Sequence, residues 1–438
     1  MKLYSTSDQL NRVSFVEAVQ NAYPADKGLY FPEQFPVCTP KFLSELKGKS
    51  FAEMATQLSA LWLDDEIPLK ILEEMCWEAF DFPVPLVPIA DNLFILELFQ
   101  GPTMAFKDFG ARFMAKIVHW IIKNTHNRFL ILTATSGDTG GAVASAFAEI
   151  ENLDVVILFP KGKVSELQRK QLTTLGANIH AIAIEGNFDD CQRLVKELLL
   201  DTQIQKEARF CSANSINIAR LIPQTFYYFF GHSLLKKPVE SLVFSVPSGN
   251  FGNLTAGLMA QKMGLPIDRF LAATNENDIV PNYLETGNFM AKSSLETLAT
   301  AMDVGNPSNF VRLLEITGHQ LRKMRELIHG YRVGDMEIIQ TIRDLYQEKG
   351  YLLDPHTAIG VKGIREYAKN SIGNFQGIVL GTAHPAKFPE MIEKELQIKI
   401  TLPFQLSQLN KREEKYETLK ASLGLVKQYL LDQVLSKN

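Results

Sequence analysis

The feature that most constrains this chain is an alternation of two kinds of segment. Short apolar runs bounded by Gly or Pro, "RFLILTAT", "LDVVILFP", "ANIHAIAI", "SLVFSVP" and "QGIVLGT", are each followed by a helix-forming stretch. Runs of this length and composition read as strands buried on both faces, and a helix is the usual way back to the next parallel strand. The pattern predicts an α/β architecture, a mostly parallel sheet covered by helices on both faces. At 438 residues the chain exceeds what one hydrophobic core serves, so it should divide. Residues 1–92 show helical periodicity, as in "PKFLSELKGKSFAEMATQLSALWL", and the prolines of "DFPVPLVPIADN" mark a boundary. Residues 93–395 carry the alternation, interrupted over 285–350 by helical, polar segments that read as an insertion. Residues 396–438 read as a loop and an amphipathic helix.

Composition narrows the function. With 46% hydrophobic and 21% charged residues the chain is an ordinary globular protein. A net charge of -4 provides no basic field for nucleic acid or an anionic membrane, so any bound anion must be held by local groups. No apolar run approaches the length of a membrane span, and "MKLYSTSDQLNRVSF" lacks the apolar centre of a signal peptide; a cytoplasmic protein is expected. Cys38, Cys76, Cys191 and Cys211 are widely spaced without C-x-x-C, which indicates buried thiols rather than a disulfide framework or a zinc site. Nothing implies a protein partner or a metal.

The chemistry should sit where strand-to-helix loops converge, beyond the carboxyl ends of the strands. In "LELFQGPTMAFKDFGARFMAK" a strand and a Gly-Pro turn lead to a helix, with Lys107 near the line of Met104, Ala111, Met114 and Val118. Asp108, Arg112 and Lys116 share another line that reads as the solvated face. Lys107 is either a stem covering apolar surface with its ammonium in water, or a desolvated amine able to form a Schiff base. "TATSGDTGGAVASAF" runs through Ser136-Gly137-Asp138-Thr139-Gly140 into a helix, a tight capped turn or a cradle for a carboxylate. "VFSVPSGNFGNLTAGLMAQK" repeats the plan with Ser248 to Asn253; it fits neither the Walker nor the dinucleotide pattern, so a lone phosphate group is preferred. "GIVLGTAHPAKF" leaves the Thr382 hydroxyl at the binding edge, and His384, with no telling partner, reads as structural. "CSANSINIARLIPQTFYYFF" places Asn214, Ser215 and Arg220 at a loop-to-helix junction, where Arg220 is either a helix-end arginine or a clamp on a phosphate or carboxylate.

Taken together, "GPTMAFKDFG", "SGDTG", "PSGNFGN" and "GTAHPAKF" resemble the threonine synthases of the longer form, in the expected order and from "MKLYSTSD" to about residue 395. The resemblance implies a two-lobed pyridoxal-phosphate (PLP) enzyme of fold type II, the tryptophan synthase β-like fold, with parallel-rich sheets, a smaller lobe over 111–215 and a mainly helical N-terminal extension. It implies that Lys107 holds the cofactor as a Schiff base, that Gly249, Asn250, Phe251, Gly252 and Asn253 hold its phosphate, and that Thr382 faces the pyridine nitrogen. Thr135, Ser136 and Thr139 would take the substrate carboxylate and neighbouring groups, and Asn214, Ser215 and Arg220 the substrate phosphate. The implied reaction converts O-phospho-L-homoserine and water into L-threonine and phosphate. Asp138 departs from the pattern: many relatives of the fold have Asn there, against the ring hydroxyl, and an anionic Asp would repel a phenolate. Alternatives are another PLP enzyme of the same fold, such as a phospho-lyase or a serine or threonine dehydratase, or a non-catalytic sensor of phosphorylated metabolites.

Overall fold

The computed structural model describes residues 1–21, 23–176, 178–236, 240–371 and 373–436. Its strands, in chain order, are β1 (Lys2–Ser5), β2 (Asp8–Ser14), β3 (Tyr30–Pro32), β4 (Leu86–Ala90), β5 (Leu93–Glu97), β6 (Phe129–Ala134), β7 (Leu153–Pro160), β8 (Ile179–Glu185), β9 (Arg209–Ser212), β10 (Leu242–Pro247), β11 (Arg269–Thr274), β12 (Ile328–Arg332), β13 (Gln376–Gly381) and β14 (Glu417–Lys420). They form a three-stranded sheet β2-β1-β3, a six-stranded sheet β12-β11-β10-β13-β5-β4 and a five-stranded sheet β14-β8-β7-β6-β9. The five-stranded sheet is wholly parallel, and in the six-stranded sheet only β4 runs antiparallel, against β5. These two sheets make the two lobes. The buried, unbroken apolar character of β6, β7, β10 and β13 is what a strand covered on both faces requires.

The runs read as strands became β6, β7, β8, β10 and β13. Four others carried weaker signals. β9 and β14 have four residues each, β11 is the short "RFLAAT", and β12 lies within 285–350, where helical segments were expected. β12 extends the larger sheet beside β11, so this stretch is joined to the sheet rather than hung from it. The tail likewise holds more than a loop and helix: β14 lies parallel to β8 at the edge of the smaller sheet. The extension begins with the small antiparallel sheet and continues as helices Pro40–Glu45, Phe51–Leu63 and Leu69–Ala79. Ser50 and Glu53 form a reciprocal capping box that fixes the start of the second of these helices.

The helix that begins at Lys107 (Lys107–Thr125) is buried almost all round. Phe109 touches Phe51, Phe80 and Phe82 on one side and Tyr227 on the other, with ring centroids 5.0–5.9 Å apart. The extension is thereby packed against the helix that carries the candidate lysine. Asp108 corrects the sequence reading. It is 0% exposed rather than solvated, because its carboxylate turns back to accept from Thr103 N (2.9 Å) and Thr103 Oγ1 (2.6 Å). Gly101 makes room for it, since a Cβ there would lie 2.5 Å from Asp108 Oδ2. Met104 lies before the helix, in the left-handed region (φ 58°), and so shares no helical line with Lys107. All four cysteines are free and buried, as expected. Among the described residues no helix is long and apolar enough to cross a membrane.

The last α-helix (Leu423–Tyr429) and the π-helical segment that continues it (Leu430–Leu435) pack Val426, Leu430 and Val434 into the core that also holds Leu194, Leu198 and Ile182. Leu430→Ala should therefore lower the stability of the smaller lobe by about 2–5 kcal/mol, read as a lower urea midpoint. A change below about 0.5 kcal/mol would show the tail to be peripheral.

Candidate active site

The carboxyl ends of β5, β6, β9, β10 and β13 converge on one cleft between the lobes. Its walls bring together Lys107, Ser136, Asp138, Thr139, Asn214, Ser215, Arg220, the whole of Gly249 to Asn253, and Thr382. Backbone pairing sets Lys107 beside Thr382. The chain after β5 continues along the chain after β13 through Leu98 N to Gly381 O (2.9 Å), Phe106 N to Thr382 O (2.9 Å) and His384 N to Met104 O (3.1 Å). Thr382 N in turn donates to Thr357 Oγ1 (3.2 Å), and Thr357 N is bonded to Asp354, the N-cap of helix Pro355–Asn370.

The surface that Lys107 keeps faces this cleft. Burial, reinforced by the Arg220 guanidinium and partly opposed by the Asp138 carboxylate, pulls its amine down to about 8. Its Nζ lies 4.5 Å from the centre of the Phe106 ring. Of the two readings of Lys107, the structure gives the desolvated amine.

The loop after β10 is built to receive an anion. Phe251 is held in the left-handed region (φ 59°), a strained state for a bulky residue that costs roughly 1–3 kcal/mol, and helix Gly252–Lys262 follows at once. The amides of Gly249 to Asn253 donate to no described residue. Asn253 Oδ1 accepts from the hydroxyls of Tyr227 (2.7 Å) and Tyr228 (2.8 Å). Its Nδ2 is a buried donor with no partner. Gly249 and Gly252 also permit close packing: a Cβ on the first would lie 2.8 Å from Met302 Cα, and on the second 3.1 Å from Ser215 Cβ.

Across the cleft the remaining residues divide. Thr135 stands apart from the expectation that it contacts substrate. Its hydroxyl accepts from Gly137 N (3.0 Å) and Gly140 N (2.8 Å), so it shapes the loop and does not line the cleft. Ser136 and Thr139 do line it, at the N-terminus of helix Asp138–Phe147. Asn214 clamps β9 to β6 with both ends of its amide, donating to Ala134 O (2.6 Å) and accepting from Ala134 N (3.0 Å). Ser215 Oγ accepts from Asn309 Nδ2 (3.0 Å) and Asn250 Nδ2 (3.2 Å), which leaves its own proton for an acceptor in the cleft. Arg220, 2% exposed, donates through Nη1 to Ala213 O, while its Nε has no partner. Burial pulls this guanidinium down to about 10, with Asp108 opposing. Gly110 admits it, since a Cβ there would lie 2.8 Å from Arg220 Nε.

The same architecture is found in known proteins. Residues 2–80 match the family described as threonine synthase N terminus, 83–380 the pyridoxal-phosphate dependent enzymes, and 357–430 the threonine synthase C-terminal family. Over 435 residues the chain is 42% identical to the threonine synthase of Buchnera aphidicola subsp. Baizongia pistaciae, covering 99% of this chain and 100% of the relative. It is 44% identical over 410 residues to that of Escherichia coli (strain K12), covering 93% and 94%. The chain belongs to the threonine synthase family. The crystal structure of the Escherichia coli threonine synthase superposes with a TM-score of 0.94 at 41% identity, covering 99% of this chain and 100% of that one. The PLP-bound threonine synthase of Brucella melitensis does so with 0.91 at 38%, covering 100% of each. The fold is therefore PLP fold type II, and the family's cofactor is PLP.

The cleft fits that cofactor on its own terms. Thr382 Oγ1 and Asn253 Nδ2 are both buried polar atoms without protein partners, a pattern that a polar group bound between them would complete. Other residues of the site gave no local signal in sequence. Asn309 joins Ser215 Oγ to Asn250 O (3.0 Å), and Arg312 donates to Ser215 O, Ile216 O and Tyr30 O, tying the extension to the Ser215 segment. Both lie in the stretch read as an insertion. His356, also on the cleft, accepts from Ala301 N (3.2 Å) through Nε2 and pairs through Nδ1 with Asp354 (2.8 Å). His384 caps the following turn, accepting from Ala386 N (3.1 Å), in keeping with its structural reading.

Asn253→Asp keeps the acceptor for both tyrosines but turns the free donor into an anion. PLP affinity, measured by titrating the apoprotein, should fall by tenfold to a hundredfold, corresponding to about 1.5–3 kcal/mol. Unchanged affinity would mean that Asn253 does not face the cofactor phosphate.

Proposed function

We propose that this chain catalyses the conversion of O-phospho-L-homoserine and water into L-threonine and phosphate, with PLP seated between Lys107, the Gly249 to Asn253 loop and Thr382. The observation that carries the reading is Arg220. A buried guanidinium with an unpaired Nε, beside a Ser215 hydroxyl free to donate, is what a phosphorylated substrate needs and a dehydratase substrate does not. The overall charge of -4 supplies no attraction for a dianion, so this local group must. A small-molecule enzyme of this kind belongs in the cytoplasm.

PLP, when bound, supplies an electron sink for negative charge developing at the substrate Cα. The protein does the rest by placement and proton transfer. Lys107, with its amine near 8, is poised to lose and regain a proton close to neutrality and would serve as the base that takes the Cα proton. Thr382 would present the ring nitrogen with a neutral hydroxyl rather than a carboxylate and so would not hold a proton there, which would temper carbanion character and favour elimination over racemisation. Ser136, Thr139 and the helix N-terminus they occupy receive the substrate carboxylate. Arg220 and Ser215 would hold the phosphate while a Cβ proton is lost and the C–O bond at Cγ breaks; a proton is then added at Cγ, the hydroxyl of a water adds at Cβ and the Cα proton is returned. Phe106, Phe251 and Met302 add apolar surface to the same space.

Two measurements test the reading. Incubation with O-phospho-L-homoserine should yield threonine and phosphate in equal amounts, whereas a phospho-lyase would release phosphate without threonine. Arg220→Ala should lower kcat/KM for that substrate by at least tenfold to a hundredfold, about 1.5–3 kcal/mol for a lost charged hydrogen bond, and leave the cofactor spectrum intact. Arg220→Lys should recover part, keeping charge but losing the planar fork. Binding of unphosphorylated homoserine should be indifferent to both changes. Equal losses for the two ligands would make Arg220 a scaffold residue.

A further inference from the structure

Behind the Asp138 wall of the cleft lies a fully buried lysine that the proposed function leaves unused. Lys387, in the turn after β13, is 0% exposed. Its ammonium lies 2.5 Å from Asp138 Oδ1 and donates to Thr103 O at 3.0 Å. Gln168 Nε2 donates to the same Asp138 oxygen (3.0 Å), and no described residue donates to Oδ2. Asp138 opens a helix of the smaller lobe while Lys387 follows a strand of the larger, so the pair spans the two lobes.

An ion pair buried this deeply is weak ground for a stability argument, because desolvation offsets most of the attraction. Its position suggests an electrostatic role instead. Burial pushes the Asp138 carboxyl up, but Lys387, His356 and the hydrogen bonds from Lys387 and Gln168 more than offset this and hold it below the usual carboxylate range. Its place at the first position of helix Asp138–Phe147 also favours the anion. The charged and titratable neighbours are Lys107 and Asp108 on one helix, Arg220 on a second, His356 on a third, and Lys387. A lone anion among them would hold a proton on Lys107 and repel an anionic oxygen on a bound ring, the difficulty that the sequence raised for Asp in place of Asn.

We propose that Lys387 is a positioning residue for the chemistry at Lys107: its ammonium cancels the charge of Asp138, so that the two present the cleft with a neutral hydrogen-bonding group, as an amide would. The inference rests on the cofactor site proposed above. One carboxylate oxygen stays free to accept a hydrogen bond.

The test is capture of PLP by the apoprotein as a function of pH, read from Schiff-base absorbance, in the parent, Lys387→Met, Asp138→Asn and the double variant. Lys387→Met leaves Asp138 uncompensated beside Lys107; the capture midpoint should move up by about one pH unit or more, and PLP binding at neutral pH should weaken about tenfold. Asp138→Asn leaves Lys387 an unpaired buried cation and should move the midpoint down. The double variant should return it to within about half a unit of the parent, since no net charge has changed. Should Lys387→Met fail to fold, Lys387→Gln removes the charge and keeps a donor. Singles that shift in the same direction, singles that do not shift, or a double displaced further than either single would overturn the inference. The readout is cofactor capture, so a parent that captures PLP without converting O-phospho-L-homoserine would overturn the proposed function alone.

Discussion

Lys107 and Arg220 are two cationic side chains desolvated in one cleft: burial depresses both, the guanidinium depresses the lysine further, and the Asp138 carboxylate that opposes this is already paired with Lys387. Burying charge in this way is unfavourable unless something balances it. Asp108 offsets part of this cost at Arg220 and Asp138 part of it at Lys107, and a bound anion would offset more, so the site favours anions. The donors left without partners, Arg220 Nε and Asn253 Nδ2, and the free amides of the Gly249 to Asn253 loop share this property. The cleft is a preorganised set of donors waiting for phosphate and carboxylate oxygens.

The rest of the molecule holds these groups where they are. Two parallel sheets point the carboxyl ends of their strands at the cleft, and the continued pairing of the chains after β5 and β13 sets Lys107 beside Thr382. The glycines act at close range. Gly110 admits Arg220, Gly252 admits Ser215, and Gly249 lets the segment around Met302 cover the loop. The N-terminal extension reaches the site as well, through the Phe51 and Phe109 contact and through Arg312, whose donors join Tyr30 to the Ser215 segment. Its carbonyl-only partners leave Arg312 strongly desolvated, pulled down to about 9.

Much of this was legible in the chain because it is local. Strand β6 and the "SGDTG" loop, or β10 and "PSGNFGN", announce themselves by an apolar run ending in glycine and hydroxyl residues, and Ser136, Asp138, Thr139 and Gly249 to Asn253 line the cleft. Thr135 shows the limit: a hydroxyl in a turn can serve a ligand or the turn's own amides, and residue type does not distinguish the two. Asp108 shows another, since helical spacing placed it on a solvated face that a cap to Thr103 removed. β12, Asn309 and Arg312 were hidden because their partners lie far along the chain, and no period or motif encodes a contact between Arg312 and Tyr30. The Asp138 pair with Lys387 was hidden for the same reason, although both residues sit inside quoted motifs.

The central claim is that one desolvated amine, that of Lys107, is the group that binds PLP covalently. Borohydride reduction of the PLP-loaded protein followed by peptide mapping addresses it directly. The account predicts a single stable pyridoxyl label on the peptide that contains Lys107, absent from Lys107→Ala together with the Schiff-base absorbance. A label on Lys387, the buried lysine paired with Asp138, or on any other lysine would contradict it.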